Sequence, residues 1–554
     1  MRSVGPFGSV LLMLAAGCGS SGSGGTGTGG AAGGGGTGAG GATGDPGTPE
    51  VTFTIQADTD VHPISPLIYG WNGADAIASD GQTVIRAGGN RWTAYNWENN
   101  ASNAGNDYMF QNDNYLDTSA APGHALAGTL DPAKAHGIAA LITVPIVDYV
   151  SADKSPGGDV RNSGADYLMT RFKQNKPTKG SAFSLTPDAT DGFVYQDEFV
   201  NWVKSTYGDQ QVIFSLDNEP DLWSSTHAEI HPDKVTYAEL VTRSTQYGAA
   251  VKAVWPTAEV AGFVSYGWTG YETLQGAPDA AGKGEFLTYF LDQMKAAEQT
   301  AGQRLVDYLD LHWYPETYVS DNYMNQKQTR IVDQADPSPQ IQAARLQAPR
   351  SLWDPNYNEN NWIAQSIPGP IMLIRRLKDK IAAHYPGTKL AFSEYTFGGG
   401  HDISGGVAQA DVLGVFGREG VDMATAWNWP DSAMGNVYEI AGLQLFRNYD
   451  GHGATFGDTS IHAATTDDAG SSVYASVDSA DANHVVIVAI NKKTTASTAA
   501  IQITHPTQFS TAAVYTLTSA GPTIMAAPAI SAVAANTFNY KMPAMSASVI
   551  VPQP

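Results

Sequence analysis

The chain has 554 residues and a formal net charge of −23, from 31 basic and 54 acidic residues. Its length allows one large domain and a smaller one. The negative charge disfavours nucleic acid, anionic membrane surfaces and acidic glycans as partners because each would be repelled, so a neutral substrate fits best.

The first 18 residues have the pattern of an export signal. Arg2 is followed by an apolar stretch over 10–16, which is too short to span a bilayer, and then by Gly17-Cys18. "LLMLAAGC" resembles a bacterial lipoprotein signal, which implies lipid on Cys18, export, and a place on the bacterial cell surface or outer membrane. The alternative is an ordinary secretory signal with an incidental cysteine. Cys18 is the only cysteine of the chain, so no intrachain disulfide can form.

Residues 19–48 are nearly all Gly, Ser, Thr and Ala, which predicts a flexible tether. Its reach is on the order of 30 Å. Within residues 49–60, "VTFTIQ" (51–56) alternates like a strand. Because this strand precedes the repeating pattern that follows, we expect it to join a sheet formed by the C-terminal residues.

Eight short apolar runs alternate with helical stretches over residues 61–453. Helices are predicted over 237–254 and 371–384. Eight strands that alternate with helices predict a closed (β/α)8 barrel of the α/β class. The runs are "PLIYGW" near Ile68, "TVIRAGG" near Ile85, "AALITVPIV" near Ile142, "QVIFSLDNEP" near Phe214, "AEVAGF" near Val260, "DYLDLHWYP" near Leu309, "KLAFSEY" near Phe392 and "DMATAWNWP" near Ala424.

From residue 454 to 554 the pattern changes to Thr-, Ala-, Val- and Ser-rich alternation with closely spaced turns, as in "VYASVDSADANHVVIVAINK". Such a pattern predicts an all-β, sandwich-like domain of roughly 100 residues.

Two glutamates end predicted barrel strands. The fourth run ends Asp217-Asn218-Glu219, and the seventh ends Ser393-Glu394. Barrel enzymes gather their reactive groups at the carboxyl ends of the strands. Two facing carboxylates are what glycoside hydrolysis requires, one to protonate the leaving oxygen and one to attack the anomeric carbon. A single glutamate could equally be a solvated loop residue or part of a structural ion pair, but the two placements together favour catalysis.

Five segments carry a family resemblance: "RAGGNRWTAYNWENN" (86–100), "FSLDNEPDLW" (214–223), "DLHWYPE" (310–316), "FSEYTFGG" (392–399) and "WNWP" (427–430). They resemble glycoside hydrolase family 44, which comprises endo-acting β-1,4-glucanases and xyloglucanases. The resemblance runs in order over about 52–552 and implies a barrel plus β-sandwich. It also implies a retaining mechanism with Glu219 as acid/base and Glu394 as nucleophile. The loop between Asn100 and Leu130 matches nothing in that pattern and leaves the glycan specificity open.

Neighbouring polar residues then acquire roles. Asn218 is suited to hydrogen-bond the sugar 2-hydroxyl. Arg86 would keep the nucleophile ionised, although a structural salt bridge is the alternative. Either Tyr314 or His312 could orient Glu394, and the sequence does not choose between them.

Aromatic residues at predicted strand ends indicate an extended sugar-binding groove, because the apolar faces of sugars stack on such rings. For each ring, core packing is the alternative. The rings are Trp92, Tyr95, Trp97, Trp223, Trp268, Trp313, Trp427 and Trp429, with Trp427 expected to floor the sugar site. The predicted substrate-binding set is Asn218, Arg86, Asn90, Trp97, Trp223, His312, Tyr314, Trp427 and Trp429.

No cofactor is expected, since the histidines lack zinc-ligand spacing and no glycine-rich loop has a phosphate-binding ending. A structural calcium is considered for "GNDYMFQNDNYLD" (105–117), where oxygen ligands cluster. The expected partner is a polysaccharide, bound by a monomer. The favoured function is an endo-β-1,4-glucanase or xyloglucanase. The alternatives are a related barrel enzyme for mannan, xylan or arabinan, and an inactive surface lipoprotein that binds glycan.

Overall fold

The computed structural model describes residues 47–73, 81–320, 328–333, 338–427 and 435–554. The predicted signal, Cys18 and nearly all of the tether lie outside the described residues, as does Trp429.

Strands and helices alternate along the first four fifths of the described residues, and strands alone occupy the last fifth. The strands are β1 (Val51–Gln56), β2 (His62–Pro63), β3 (Gly70–Asn72), β4 (Val84–Ala87), β5 (Ser102–Asn103), β6 (Asn112–Asp113), β7 (Ala139–Val144), β8 (Tyr149–Ser151), β9 (Phe172–Lys176), β10 (Phe193–Tyr195), β11 (Val212–Leu216), β12 (Glu259–Ser265), β13 (Tyr308–Trp313), β14 (Tyr318–Ser320), β15 (Gln328–Arg330), β16 (Lys389–Tyr395), β17 (Met423–Ala426), β18 (Thr459–Thr465), β19 (Ser471–Asp478), β20 (Asp481–Asn491), β21 (Ser497–Thr504), β22 (Thr511–Thr518), β23 (Gly521–Ala534), β24 (Thr537–Met542) and β25 (Ser546–Gln553). The α-helices are α1 (Asn90–Thr93), α2 (Ala127–His136), α3 (Tyr167–Thr170), α4 (Gln196–Tyr207), α5 (Trp223–Thr226), α6 (Tyr237–Val254), α7 (Trp268–Thr273), α8 (Phe286–Ala301), α9 (Pro339–Gln347), α10 (Trp362–Ser366), α11 (Leu373–His384), α12 (Ile403–Glu419) and α13 (Val437–Arg447).

Eight parallel strands close into a barrel in the order β3, β4, β7, β11, β12, β13, β16 and β17, which confirms the predicted (β/α)8 architecture. Each strand overlaps one of the eight predicted runs, although β3 extends to Asn72 and β12 to Ser265, past the ends of their runs. The first run needs a correction, because Ile68 belongs to a 3₁₀ turn, Pro66–Ile68, and the strand begins only at Gly70. Ser65 caps that turn by accepting from the Leu67 amide at 3.2 Å, and Pro66 lacks the N–H that a strand would use.

A layer of side chains fills the barrel interior and makes it a packed core. Strands other than β3 contribute to this layer, and every member is nearly or fully buried. The members are Val84, Ala139, Leu141, Ile213, Ala261, Tyr308, Ala391 and Met423.

The two predicted helices are present. The helix α6 begins with a capping box, in which Thr236 and Glu239 bond each other's backbone, and its bounds agree with the prediction. The helix α11 begins at Leu373, two residues later than predicted, because Met372 has a left-handed backbone with φ of 46°.

The C-terminal strands and β1 form a second, all-β unit, which confirms that the N-terminal strand joins the C-terminal sheet. The strand β1 pairs in parallel with β21 and antiparallel with β18, so it links separate parts of the strand series β18–β25. Phe53 and Ile55 point into the core of this unit and are fully buried.

The helix α12 lies between the barrel and the β-unit. Most of its residues are buried, including Asp411, which forms a 2.7 Å ion pair with Lys492 of the β-unit. Tyr474 donates a 2.6 Å hydrogen bond to the same carboxylate. Breaking such a buried pair leaves an uncompensated charge, so the contact fixes how the two units pack.

Small elements extend the wall above the carboxyl ends of the barrel strands. The β5–β6 hairpin lies in the segment that the sequence motifs do not match, and β8, β9 and β10 form a separate three-stranded sheet. Among the described residues, no helix is long and apolar enough to cross a membrane.

Candidate active site

Glu219 and Glu394 face each other at the carboxyl ends of barrel strands four and seven. An oxygen of each carboxylate and the Nδ1 of His312 all lie within 4.8 Å of one another. The Glu394 side chain is 6% exposed and that of Glu219 is 21% exposed. The spacing is shorter than the roughly 6.5–9.5 Å between the carboxyl groups of an inverting glycosidase, and it suits direct attack by one of them.

The backbone that carries Glu219 is strained and held in place by Asp217. Both residues have left-handed backbone, with φ of 69° for Asp217 and 46° for Glu219. The buried Asp217 carboxylate accepts from the Thr93 hydroxyl at 2.7 Å and from the amides of Ile146 and Asn218 at 2.7 and 2.9 Å. These bonds stabilise a turn that directs Glu219 across the barrel mouth.

Glu394 is held through both of its oxygens. Arg86 donates to Oε1 at 2.6 Å, and the Tyr314 hydroxyl donates to Oε2 at 2.6 Å. Burial opposes ionisation of Glu394, but the nearby His312 and Arg86 and the Tyr314 hydrogen bond together lower its pKa. The carboxylate is therefore ionised, as a nucleophile must be.

His312 lies between the two glutamates. Its Nδ1 is 2.9 Å from Oε1 of Glu219 and 3.3 Å from Oε2 of Glu394. Tyr314, by contrast, donates to Glu394, so the structure assigns orientation of the nucleophile to Tyr314 and places His312 closer to the acid/base. Burial opposes protonation of His312, yet the negative Glu394 and Glu219 raise its pKa.

The pKa values of the two carboxyl groups are shifted in opposite directions. Burial raises the pKa of Glu219, and the negative charge of Glu394 adds to the rise, against the lowering effect of His312. The pKa of Glu394 is lowered. Two titratable groups with pKa values driven apart can serve as acid and base at one pH.

Asn72 is a site residue that the sequence analysis missed. Its amide nitrogen donates to the carbonyls of Ser393 and Ala426, both at 3.1 Å, and its oxygen accepts from Arg86 at 2.9 Å. It therefore fixes the arginine that holds the nucleophile. The only signal in the sequence was its position directly after the first predicted run, where the motif carries no acid or base.

Asn218 has its amide oxygen engaged by two protein donors, Arg86 at 2.8 Å and the amide of Gly89 at 3.2 Å. Its orientation is therefore fixed beside Glu219. A hydrogen bond from its amide nitrogen to the sugar 2-hydroxyl stays a prediction.

The aromatic groove needs correction. Trp97 is 1% exposed and packs against Phe199 and Trp202, and Trp223 is 0% exposed and donates to Asp217. Both rings are covered by later segments of the chain and belong to the core, so they are not open sugar platforms. The same burial applies to Trp92, Tyr95, Trp268 and Trp313.

Trp427 is the predicted platform that remains partly exposed. Its ring lies beside Gly89, where an added Cβ would be 3.0 Å from Cη2 of the indole. Large exposed aromatic side chains instead include Tyr108, Tyr115 and Trp362, all outside the barrel strands and at positions that the strand pattern does not predict. Asn90 is half-buried and donates to the Ala104 carbonyl at 3.3 Å, so it links the end of strand β4 to the 100–130 loop.

The segment 105–117, which the sequence analysis considered for a structural calcium, has two of its carboxylates paired within the protein. Asp113 is bound by Arg91 at 2.5 Å and by Ser102 at 2.9 Å, and Asp117 pairs with His124. Within the described ranges, the one grouping of three His, Cys, Asp or Glu ligands is Glu219, His312 and Glu394. Two of these side chains are the candidate catalytic carboxylates, and His312 lies between them.

Comparison with known proteins agrees with this geometry. The family model described as "Glycoside hydrolase family 44" matches residues 101–317. Endoglucanase A of Paenibacillus lautus is 39% identical over 520 residues, which are 91% of this chain and 72% of that protein.

Two solved structures share the whole architecture. The family 44 endoglucanase Cel44A from Clostridium thermocellum has 40% identity and a TM-score of 0.84, over 91% of this chain and 100% of its own. A Paenibacillus polymyxa xyloglucanase of the same family, solved with xyloglucan, has 40% identity and a TM-score of 0.85, over 91% and 99% of the two chains.

Proposed function

The chain belongs to glycoside hydrolase family 44 and is a glycoside hydrolase, and we propose that it cuts internal β-1,4 linkages of a neutral glucan by a retaining double displacement. The observation that carries the mechanism is the pair Glu219 and Glu394, within 4.8 Å and with pKa values shifted apart. Xyloglucan and soluble cellulose derivatives are the proposed substrates.

In the first step the Glu394 carboxylate attacks the anomeric carbon of the bound sugar. Burial raises the pKa of Glu219 and so favours its protonated form, which transfers its proton to the glycosidic oxygen as the bond to that oxygen breaks. The leaving chain departs with a new hydroxyl, and the glycone stays as an ester on Glu394. The positive charge of Arg86, 2.6 Å from the attacking group, keeps Glu394 ionised before the attack.

In the second step Glu219, now a carboxylate, removes a proton from water. The water oxygen attacks the anomeric carbon and displaces Glu394, so two inversions give net retention. Consumption of the charge on Glu394 in the ester removes the repulsion that raised the pKa of Glu219, and the charge returns when the ester is cleaved.

Internal cleavage is supported by the names of the relatives, an endoglucanase and a xyloglucanase, and by the net charge of −23, which disfavours acidic glycans. Viscosity of a xyloglucan solution should therefore fall early relative to the release of reducing ends. Release of monosaccharide from chain ends alone would contradict the proposal.

Proton NMR of the first-formed product tests the stereochemistry. A β-linked substrate should give the β-anomer before mutarotation. Initial appearance of the α-anomer would refute the double displacement.

Glycoside hydrolysis of this kind needs no cofactor, and the substrate partner is a polysaccharide. We propose no calcium at residues 105–117, because Asp113 and Asp117 are committed to protein partners. A monomer is proposed for the solution state, to be checked by sedimentation.

Attachment through a lipid on Cys18 is a separate proposal, supported by "LLMLAAGC" and by the Gly-rich residues behind it. Cys18→Ser should move the protein from the membrane fraction to the soluble fraction, with activity on soluble substrate unchanged. An unchanged distribution would refute the anchor.

A further inference from the structure

The segment 104–111 is a tightly braced loop near the start of the stretch, residues 101–317, that the family model matches. The side chain of Asn103 closes it, with Oδ1 accepting from the Gly105 amide at 2.7 Å and Nδ2 donating to the Phe110 carbonyl at 3.1 Å. The Ala104 amide donates to the Gln111 carbonyl at 2.9 Å. The loop therefore presents its tip in one conformation, although its side chains from 106 to 109 are exposed.

The base of the loop packs against the segment that follows the acid/base. A Cβ built on Gly105 would lie 2.2 Å from the carbonyl oxygen of Thr226 and 2.8 Å from Nδ2 of Asn90. Only glycine fits this contact, and its φ of 53° also favours glycine. The loop is thus seated between the elements that follow barrel strands two and four.

His227 stabilises the contact between this loop and the segment that carries Asn90. Its ring is fully buried, with Nδ1 2.8 Å from a Glu229 carboxylate oxygen and Nε2 2.8 Å from the Asn90 carbonyl. Both ring nitrogens face acceptors, which only the doubly protonated ring satisfies. Burial opposes that charge, but Glu229 and further acceptors raise the pKa of His227. A charged ring paired with Glu229 thus holds Asn90 against the loop.

Asp107, at the tip, is exposed but stands close to charged site groups. Burial raises the pKa of Asp107 and the negative charge of Glu394 adds to the rise, while Asn90, His227 and Arg91 lower it. The amide of Gly89, which precedes Asn90, donates to Asn218 beside the acid/base at 3.2 Å, so the base of the loop lies at the site. In the ranges that the structure describes, Asp107 forms no ion pair within 4.0 Å, so the carboxylate keeps accepting capacity.

We infer that Asp107 is a substrate-contacting, specificity-determining residue, whose carboxylate accepts hydrogen bonds from hydroxyls of a neutral sugar chain and repels anionic substituents on that chain. The inference rests on the proposed glucanase function. Asp107 is not a reacting group, so its contribution appears in KM and in substrate preference.

Asp107→Asn and Asp107→Ala test the inference with two substrates of one backbone, neutral hydroxyethylcellulose and anionic carboxymethylcellulose. A hydrogen bond to a charged acceptor is worth roughly tenfold or more in binding, so Asp107→Ala should lower kcat/KM on the neutral polymer about tenfold, mainly through KM. Asp107→Asn should raise the ratio of kcat/KM on the anionic polymer to that on the neutral one by about threefold at low salt, because one repelling charge is gone. That gain should vanish near 1 M salt, where the screening length is about 3 Å.

Asp379→Asn is the matched control, since this 73% exposed side chain lies on the barrel helix α11 and loses the same charge. It should leave the substrate ratio unchanged. Gly105→Ala is a second variant, and it should raise KM on the neutral polymer by displacing the loop while leaving the charge on Asp107.

The inference would be overturned if kcat/KM of both Asp107 variants stayed within twofold of wild type on both polymers. An equal fall on both polymers accompanied by a lower Tm would also overturn it, by showing a structural role. Absence of activity of the wild type on both polymers would instead refute the proposed function.

Discussion

The hydroxyl of Tyr314 donates a 2.6 Å hydrogen bond to Oε2 of Glu394 and thereby fixes the carboxylate that Arg86 holds from its other side. A donor to the charged form of an acid stabilises that form and lowers the pKa of the acid. The same hydrogen bond therefore both orients the nucleophile and stabilises its ionised form.

Tyr314→Phe should therefore raise the pKa of Glu394, since one of the groups that lower it is lost. The acid limb of the kcat/KM profile against pH should move to higher pH, and kcat/KM at the optimum should fall about tenfold. Tyr395→Phe is the control, because that hydroxyl is fully buried and bonds Gln409. An acid limb at the same pH in Tyr314→Phe and wild type would contradict the role assigned to Tyr314.

Removal of either catalytic carboxylate should give variants that differ in the anomer they form with azide. Glu394→Gly should lose turnover and recover it with azide as the α-glycosyl azide, because the anion occupies the place of the nucleophile. Glu219→Ala should keep the first step for substrates with good leaving groups and yield the β-azide, since only proton transfer is lost. NMR of the azide products distinguishes the two, and exchanged anomers would reverse the assignment of roles.

Trp427 and Trp223 should respond differently to truncation. Trp427→Ala should lower kcat/KM with little change in Tm, because the ring lines the site and is partly exposed. Trp223→Ala should lower the free energy of unfolding by about 3–5 kcal/mol, since a fully buried ring leaves a cavity. Denaturant unfolding and steady-state kinetics on both variants check this, and an unchanged free energy of unfolding for Trp223→Ala would contradict a core role for this ring.

Asp221 makes the stability of the protein depend on pH. Burial raises its pKa from 3.8 to about 7, ahead of the lowering effect of the Ser265 hydroxyl, which donates to it at 2.5 Å. Between these values the folded state holds a proton that the unfolded state has released, so this group makes folding less favourable as pH rises from about 4 to 7. Above pH 7 the folded state carries a buried carboxylate.

Asp221→Asn should remove that contribution. The Tm of the variant minus the Tm of the wild type should increase from pH 5 to pH 8, as thermal unfolding across this range would show. For Asp379→Asn, an exposed position, the difference should be independent of pH. A constant difference for Asp221→Asn would mean that the carboxyl is ionised throughout.

The sequence alone determined the barrel, the second β-unit and the catalytic pair. Local hydrophobic periodicity identifies the short strands and the helices between them. Because the barrel strands are parallel, a glutamate at the carboxyl end of such a strand lies at the barrel mouth. The strand β1 was also assigned correctly, because an alternating strand that precedes the barrel pattern must pair elsewhere.

The tertiary structure alone decided which rings are open and which side chains touch. Trp97 and Trp223 follow strand ends just as Trp427 does, but residues far along the chain cover the first two. The choice between His312 and Tyr314 likewise depended on distances of a few tenths of an ångström across two strands. The position of Asp107 depends on Asn103, Gly105 and His227, which are brought together by packing between separate loops. Local pattern sets where strands end, but burial is a property of the segments that pack over them.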